Sequence, residues 1–325
     1  MKVLITLPFL ISLCFAATKY NSELDGYSYP FKVETFKLSS QNQELKMAYM
    51  DLKPEKVKKD KVVVLLHGKN FAGYYFERMA NDLVDAGYRV IIPDQIGFGK
   101  STKVRAYQFS FYQLSYNTKS LLDSLGIEKF DLVGHSMGGM LATHMTYLYP
   151  KSVTKLVLIN PIGLEPYLKF VEFKDPAFFH DIEKKKTANK MREYQKKNYY
   201  DGKWSERYEK LLLPHIGQMN GKDWDLVAWN NALTYGPIFN EDITSKMSQI
   251  KNKTFLVIGT RDQTGPGRSW KKAGETHKLG DYKELAKKTF KRFPNAKLHV
   301  LKGLGHMPQF EDYKKFSSVF LPIFN

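Results

Sequence analysis

The sequence is poor in cysteine, in long apolar runs and in arginine. One cysteine occurs in 325 residues, which excludes a disulfide framework and any metal site built from several cysteines. No apolar run reaches the roughly 20 residues that a membrane-spanning helix needs. Hydrophobic residues make up 43% and charged residues 26% of the chain. These are the proportions of an ordinary globular protein, so disorder, a collagen-like repeat and a multi-span membrane protein are excluded.

Negative charge is also scarce. The chain has 50 lysine and arginine residues against 33 aspartate and glutamate residues, a net charge of +17. A nucleic acid is the first partner that such a surplus suggests. However, 42 of the 50 cations are lysine, whereas arginine makes the commonest specific base contact. The surplus is also spread along the chain, so we interpret it as a solvated basic surface with no specific nucleic-acid site. Weak electrostatic association with an anionic membrane or cell wall is the alternative.

Residues 1–17 predict a cleavable signal peptide. Met1-Lys2 is a positively charged start, Val3 to Phe15 is an apolar run too short to span a bilayer, and Ala16-Ala17 supplies the small residues that signal peptidase requires. The protein is therefore expected to be secreted or periplasmic. Cys14 leaves a lipoprotein as the alternative, although Leu13 stands where lipid-attachment sites normally carry a small residue.

The remaining sequence alternates between short apolar runs and helical stretches. Phe31 to Leu38 and Glu44 to Asp51 alternate apolar and polar residues around a turn at 39–42, which predicts an opening hairpin. Six almost wholly apolar runs are typical of strands buried on both faces of a parallel sheet: Val62 to Leu66, Arg89 to Pro93, Phe130 to Val133, Leu156 to Ile159, Phe255 to Ile258 and Leu298 to Leu301. The helical stretches between them predict a doubly wound α/β fold.

The segment 165–243 does not follow this alternation. It contains no buried-strand pattern but many aromatic residues and long charged helical stretches. We predict a helical cap here, inserted over the C-terminal edge of a core made of residues 18–164 and 244–325. Three cap residues, Trp229, Tyr235 and Phe239, are candidates for binding an apolar or aromatic substrate. Packing of the cap against the sheet is the alternative role for Trp229.

The strongest local signal is Gly134-His135-Ser136-Met137-Gly138. This is G-x-S-x-G between a predicted strand and a predicted helix, which is the context of a nucleophile elbow. The two glycines remove Cβ atoms that would clash as the turn tightens. The hydroxyl of Ser136 is then held at the helix N-terminus, where peptide dipoles favour developing negative charge. We predict that Ser136 is a catalytic nucleophile.

A serine nucleophile needs a base, and the base needs an acid that orients it. In this fold class the order along the chain is serine, acid, histidine, each in a loop that follows a strand. His306 follows the last predicted strand and is the predicted base. Asp262 lies shortly beyond the strand at 255–258 and is the predicted acid. Glu165, just after the sixth strand, is the alternative acid.

The turn after the strand at 62–66 is predicted to complete the site. The backbone N–H groups of Lys69 and Met137 are expected to form an oxyanion hole. Because these donors belong to the main chain, the identity of the Lys69 side chain is not expected to matter. His67 is predicted to hold the turn rather than to act as a second base. No metal site is predicted, and the pattern of a phosphate-binding loop is absent.

Together these motifs resemble the α/β-hydrolase superfamily. The resemblance rests on five elements: His67-Gly68, Asp94…Gly97-x-Gly99-x-Ser101, Gly134-His135-Ser136-Met137-Gly138-Gly139, Asp262 and Gly305-His306. It implies an eight-stranded, mostly parallel sheet, a cap after the sixth strand and chemistry without a cofactor. Epoxide hydrolases and haloalkane dehalogenases are excluded, because their nucleophile is aspartate where this chain has Ser136.

The segment from Gly305 to Glu311 is similar to the corresponding stretch of meta-cleavage C–C hydrolases and related esterases. The C–C enzymes usually carry tryptophan in place of Phe310 and a serine- or glycine-rich loop in place of Lys69-Asn70. We therefore predict a secreted hydrolase of carboxylic esters that acts on a small, apolar or aromatic molecule. A C–C bond or lactone hydrolase with the same triad is the alternative. A binding protein built on an inactive hydrolase is a third interpretation.

Export can be tested by intact-mass analysis. Protein recovered from the extracytoplasmic fraction is expected to lack residues 1 to about 17, because the apolar run has the length of a signal-peptide core. Full-length chain in the cytoplasm would contradict this prediction. A lipid-modified Cys14 would support the lipoprotein alternative instead.

Overall fold

The computed structural model describes residues 18–55 and 61–324. The predicted signal peptide lies outside these residues and stays a prediction. Within the described residues, eight strands form one sheet in the order β1-β2-β4-β3-β5-β6-β7-β8. The strands are β1 (Val33–Ser40), β2 (Gln43–Leu52), β3 (Val62–Leu66), β4 (Arg89–Pro93), β5 (Phe130–His135), β6 (Val153–Ile159), β7 (Lys253–Gly259) and β8 (Ala296–Leu301). Strand β2 pairs antiparallel with β1 and β4, whereas every other pairing is parallel. The predicted α/β fold with a mostly parallel sheet is confirmed.

The opening hairpin has a tighter turn than the sequence suggested. Strand β1 continues through Ser39 and Ser40, which pair with Glu44 and Gln43 of β2. The turn is reduced to Gln41 and Asn42, which have φ angles of 53° and 58°. Two consecutive positive φ angles are typical of the two-residue turns whose twist matches that of the flanking strands.

Helices cover the sheet and follow its strands. Outside the segment between β6 and β7, the described helices are α1 (Glu77–Asp85), α2 (Phe111–Ser124), α3 (Met137–Leu148), α10 (Tyr282–Arg292), α11 (Pro308–Glu311) and α12 (Tyr313–Phe320). Between β6 and β7 the described chain forms α4 (Tyr167–Phe170), α5 (Pro176–Lys184), α6 (Ala188–Asn198), α7 (Glu206–Met219), α8 (Trp224–Leu233) and α9 (Tyr235–Asn240). These helices fall in the segment predicted as the cap, and we use the word cap for this segment below. Short 3-10 turns occur at Gly73–Phe76, Met247–Gln249, Arg268–Trp270 and Leu321–Ile323. Among the described helices, none is long and apolar enough to cross a membrane.

The core lies on both faces of the central strands. Along β3, Val64 and Leu66 join the apolar cluster on one face, and Val63 and Leu65 join the cluster on the other. This alternation follows from the two-residue period of a strand. The prediction that the last strand is buried on both faces was wrong. Strand β8 is the edge of the sheet, and Val300 is 47% exposed there.

The segment from Thr18 to Tyr29 ties helix α7 to the core. On the cap side, the Tyr20 N–H donates to the Gly217 carbonyl (2.9 Å), and the Gln218 side chain donates to the Ser22 carbonyl (2.8 Å). On the core side, Lys100 donates to the Leu24 carbonyl (2.9 Å). Tyr29 donates to Asp94 (2.6 Å), and Leu24 is 1% exposed. The segment therefore contributes contacts to both parts of the molecule.

Gly221→Ala tests how much this segment stabilises the fold. A Cβ atom at residue 221 would lie 1.9 Å from the Tyr20 carbonyl oxygen, so the segment must shift. Forcing extra volume into such a contact costs about 1–3 kcal/mol, and we expect a loss of this size in urea unfolding. Gly236→Ala in α9 is the matched control, since a Cβ atom there meets nothing within 4 Å. Equal stability of the two variants would show that the segment contributes little.

Candidate active site

The turn between β5 and α3 holds Ser136 in an unusual backbone conformation. Its φ and ψ angles are 57° and −121°. A Cβ atom at Gly134 would lie 2.2 Å from the Gly138 carbonyl oxygen, and one at Gly138 would lie 2.1 Å from the Leu66 carbonyl oxygen. Both positions therefore require glycine. The Ser136 N–H donates to the Ile159 carbonyl (3.2 Å), which fixes the turn against β6.

The structure brings the predicted nucleophile, base and acid together. His306 Nε2 lies 3.0 Å from Ser136 Oγ, and His306 Nδ1 lies 2.7 Å from Asp262 Oδ2. All three side chains are buried. Because a carboxylate only accepts, Nδ1 carries the proton and donates to Asp262, which leaves Nε2 free to accept from the serine hydroxyl. This is the geometry of a base that can activate a nucleophile.

Asp262 is held as a carboxylate by two further donors. The Asn160 amide donates to its Oδ2 (2.7 Å), and the Thr264 N–H donates to its Oδ1 (2.7 Å). Burial alone would raise the pKa of Asp262, but His306 and these hydrogen bonds outweigh burial and hold the pKa below its usual value. The role of Asn160 in supporting the acid carries no signal in the sequence.

The alternative acid, Glu165, has other partners. Its Oε2 lies 2.6 Å from His277 Nε2, and its Oε1 accepts from the Gly280 N–H (2.7 Å). His277 in turn stacks on Phe170 with a ring separation of 3.9 Å. These contacts connect the segment after β6 to the loop before α10. The geometry thus favours Asp262 over Glu165 as the partner of His306.

The predicted oxyanion donors belong to segments next to the nucleophile. A Cβ atom at Gly68 would lie 3.0 Å from the Ser136 Cβ, so this turn passes in contact with the serine. Within residues 18–55 and 61–324, the N–H groups of Lys69 and Met137 have no hydrogen-bond acceptor. Met137 is the first residue of α3, where N–H groups have no partner within the helix. Both donors are available for an oxyanion.

His67 holds the turn, as the sequence suggested. It is fully buried, its Nδ1 donates to the Gly68 carbonyl (2.9 Å), and its Nε2 accepts from the Gln95 N–H (3.0 Å). Burial lowers the pKa of this imidazole. Both ring nitrogens are occupied, so His67 has no free atom to serve as a second base.

A chain of hydrogen bonds joins the oxyanion turn to the loop of the base. The Gly68 N–H donates to Tyr75 Oη (3.0 Å), Tyr75 donates to His135 Nδ1 (2.9 Å), and His135 Nε2 donates to the His306 carbonyl (2.9 Å). Burial lowers the pKa of His135 to about 3, so the ring is neutral near pH 7. Neither Tyr75 nor His135 was predicted to take part in the site, since their contact depends on the fold.

The side chain of Lys69 is buried against the cap. Its Nζ lies 3.2 Å from Glu183 Oε1 of α5 and 4.0 Å from the centre of the Tyr235 ring of α9. Burial lowers the pKa of Lys69 to about 8. Burial alone would raise the pKa of Glu183, but Lys186 and Lys69 outweigh burial and hold the pKa below its usual value. The pair is therefore charged near pH 7.

Two of the three predicted substrate residues lie in an aromatic cluster beside this pair. Tyr235 stacks on Phe179 at 4.2 Å, and Phe239 lies 5.8 Å from the same ring. Trp229 lies elsewhere in the cap. Its indole N–H donates to the Arg105 carbonyl (2.8 Å), and its ring meets that of His180. For Trp229 the structure therefore favours the packing alternative.

Another cap residue covers the base. The Tyr199 ring, at the end of α6, lies 4.7 Å from the His306 ring and is 3% exposed. A cavity of about 20 Å³ lies between the oxyanion turn and α7, which is room for about one water molecule. Lining residues from both sides include Lys69, Asn70, Phe71, Pro214 and His215. This cavity is not lined by Ser136 or His306, and the contact of the cap with the triad is the Tyr199 ring on the base.

No metal centre is evident in the part of the chain that the structure describes. Among those residues, no group of three or more histidine, cysteine, aspartate or glutamate side chains is arranged to hold a metal ion.

Known proteins match this chain over most of its length. A 2-hydroxy-6-oxo-6-phenylhexa-2,4-dienoate hydrolase of Comamonas testosteroni is 28% identical, with 78% of this chain and 84% of that protein covered. A 2-hydroxy-6-oxononadienedioate/2-hydroxy-6-oxononatrienedioate hydrolase of Paraburkholderia phymatum is 27% identical, with coverage of 86% and 90%.

Solved structures share the fold. A probable hydrolytic enzyme of Pseudomonas aeruginosa superimposes with a TM-score of 0.91 at 39% identity, covering 94% of this chain and 98% of that one. An esterase of Exiguobacterium antarcticum has a TM-score of 0.69 at 17% identity, with coverage of 89% and 99%, which shows a common fold alone. The sequence model of the alpha/beta hydrolase fold matches residues 61–313. The resemblance seen in the motifs is confirmed, and the chain belongs to the α/β-hydrolase family.

Proposed function

We propose that the protein is a serine hydrolase that cleaves carboxylic esters through an acyl-enzyme on Ser136. The observation that carries the proposal is the continuous contact from Asp262 through His306 to Ser136 Oγ, with distances of 2.7 and 3.0 Å. Two backbone N–H groups next to the nucleophile, those of Lys69 and Met137, have no acceptor among the described residues. This is the full set of groups that acyl transfer requires.

The reaction follows from these positions. His306 Nε2 accepts the hydroxyl proton as Ser136 Oγ attacks the ester carbonyl carbon, and the carbonyl oxygen becomes an oxyanion. The N–H groups of Lys69 and Met137 stabilise that oxyanion, while Asp262 stabilises the imidazolium. His306 then gives its proton to the departing alcohol. Water repeats the same steps on the acyl-enzyme and releases the acid.

The aromatic residues of the cap support the proposal that the substrate is apolar or aromatic. Tyr235, Phe239 and Phe179 form a stacked aromatic surface next to Lys69, and the Tyr199 ring lies on the base. Since the triad side chains are buried and the Tyr199 ring lies on His306, we infer that the cap opens for a substrate to enter. Rings of this kind bind apolar acyl or leaving groups through buried area and stacking.

Hydrolysis of a C–C bond is the second candidate. It is favoured by the two bacterial relatives described above, whose names are those of dienoate and dienedioate hydrolases. An alkoxide needs only the proton that His306 carries. A carbon leaving group needs in addition a conjugated carbonyl in the substrate to take up the electron pair. The residues of the site suffice for the ester reaction, so we place it first.

A substrate panel separates these candidates. Purified protein is expected to hydrolyse short p-nitrophenyl esters, with turnover abolished in Ser136→Ala. Lactones and vinylogous 1,5-diketones are assayed beside the esters. A kcat/KM for a diketone that exceeds the ester value by 100-fold or more would favour C–C hydrolysis. No turnover of any class and no fluorophosphonate labelling of Ser136 would contradict a serine hydrolase altogether.

The acid is tested by comparing Asp262→Asn with Glu165→Gln. An amide at residue 262 donates toward His306 Nδ1 and leaves the imidazole in the wrong tautomer, so kcat is expected to fall at least about 100-fold. KM is expected to change little, because the acid acts on the base and not on the substrate. Glu165→Gln should keep most activity. A folded, inactive Glu165→Gln beside a near-wild-type Asp262→Asn would move the acid to Glu165. Melting temperatures are measured for both variants.

A further inference from the structure

Lys69 connects two parts of the molecule that have different tasks. Its main chain belongs to the oxyanion turn after β3, in contact with the nucleophile. Its side chain crosses into the cap, where Nζ lies 3.2 Å from Glu183 and 4.0 Å from the centre of the Tyr235 ring. Lys69 is 8% exposed and Glu183 is 0% exposed. A lysine on the predicted oxyanion turn thus ends at a buried carboxylate of the cap.

The carboxylate that receives Lys69 is fixed from several sides. Glu183 Oε1 also accepts from Tyr235 Oη of α9 (3.2 Å), and Oε2 accepts from Lys186, just beyond α5 (2.5 Å). The Tyr235 ring stacks on Phe179, which precedes Glu183 by one turn of the same helix. A carboxylate with these three hydrogen-bond donors around it is fixed in one position. It is therefore a rigid anchor for the lysine.

The backbone around the donor is held from the core and from the cap. Gly68 precedes Lys69, and glycine allows many backbone conformations. On one side the Gly68 N–H is fixed by Tyr75 Oη (3.0 Å). The Gly68 carbonyl, which shares a planar peptide group with the Lys69 N–H, also accepts from His67 Nδ1 (2.9 Å). On the cap side, the Lys69 side chain leaves the turn and is held by Glu183 and by the Tyr235 ring. The direction of the Lys69 N–H is therefore set by these core contacts on one side and by the Lys69 side chain on the other.

We propose that Glu183 is a positioning residue for the oxyanion hole, acting through the side chain of Lys69. The inference rests on the proposed function, because it assigns the Lys69 N–H to the oxyanion. Glu183 and the lysine ammonium touch neither the nucleophile nor the base in the structure. Closure of the cap, which carries Glu183, therefore aligns a donor that belongs to the core. Substrate capture and oxyanion stabilisation are linked by one buried ion pair.

The expected effect is on the chemical step. Loss of an oxyanion donor costs about 10²–10³ in kcat, and a misplacement of about 1 Å costs on the order of 10². Glu183→Gln and Lys69→Met are therefore expected to lower kcat about 10- to 100-fold, with KM within about threefold of the wild-type value. The double variant Lys69→Met/Glu183→Gln is expected to lose no more than the worse single variant, because the two residues act as one unit.

The measurement uses two readouts besides ester turnover. A trifluoromethyl ketone forms a tetrahedral adduct whose oxyanion occupies the hole, and its Ki should rise in parallel with the loss of kcat. A fluorophosphonate tests the site without any choice of substrate. The Ser136 Oγ–P bond forms, the P–F bond breaks, fluoride leaves and His306 takes the proton. Its second-order labelling rate should fall by a similar factor in each variant.

Matched variants keep the test decisive. Asp181→Asn removes an exposed carboxylate from the same helix and should leave every readout unchanged. Tyr235→Phe removes one hydroxyl from the anchor and should lower kcat by a smaller factor. The double variant leaves neither charge of the Lys69–Glu183 pair unpaired, so it serves if a single variant does not fold. Circular dichroism and melting temperature report folding for each.

Failure of the proposed function can be distinguished from failure of the positioning role of Glu183. If the wild-type protein is not labelled by the fluorophosphonate, the proposed function fails. If the wild type is labelled and the folded variants keep its labelling rate, kcat and Ki, with only melting temperature or KM changed, the pair is a tether of the cap. That second result would overturn the positioning role.

Discussion

The backbone turn at Ser136 constrains the rest of the site. A non-glycine residue with φ of 57° and ψ of −121° is strained by about 1–3 kcal/mol. It persists because β6 accepts its N–H and because Gly134 and Gly138 let neighbouring backbone approach within contact. Once the serine stands at this place, the other groups have little freedom. The base must reach it from the loop after β8, and the oxyanion turn must pass directly above it.

The sequence was sufficient for the parts that local patterns encode. Apolar runs located the parallel strands to within a few residues, and the glycines around Ser136 marked the strained turn. The contacts that hold the site residues in place could not be predicted, because they join positions far apart in the sequence. Asn160 meets Asp262 across 102 positions of the chain, and Glu183 meets Lys69 across 114. The periodic pattern of apolar residues in a sequence does not indicate which distant residues form such pairs. The exposure of β8 was missed for a similar reason, since an edge position is a property of the whole sheet.

Lys69 shows how a main-chain function can depend on a side chain. The side chain of Lys69 was not expected to matter, because the predicted donor is the backbone N–H. A lysine removed from water is costly unless it is paired. Once paired, it resists movement, because separation leaves two charges unsatisfied in a poorly polar interior. Such a pair adds little net stability compared with apolar packing. Its physical effect is to fix a position, and the position in question is that of a turn next to the nucleophile.

The division between core and cap explains why the family match points to the triad but leaves the substrate open. The triad residues and the two proposed oxyanion donors lie in the core, within the 61–313 match to the family. The groups that cover the site, such as Tyr199 and Tyr235, lie on cap helices. A relative at 27–28% identity can keep the first set and differ in the second. The Lys69–Glu183 pair crosses this division. A change of cap that alters specificity must therefore preserve a carboxylate on α5, or it alters the chemistry as well.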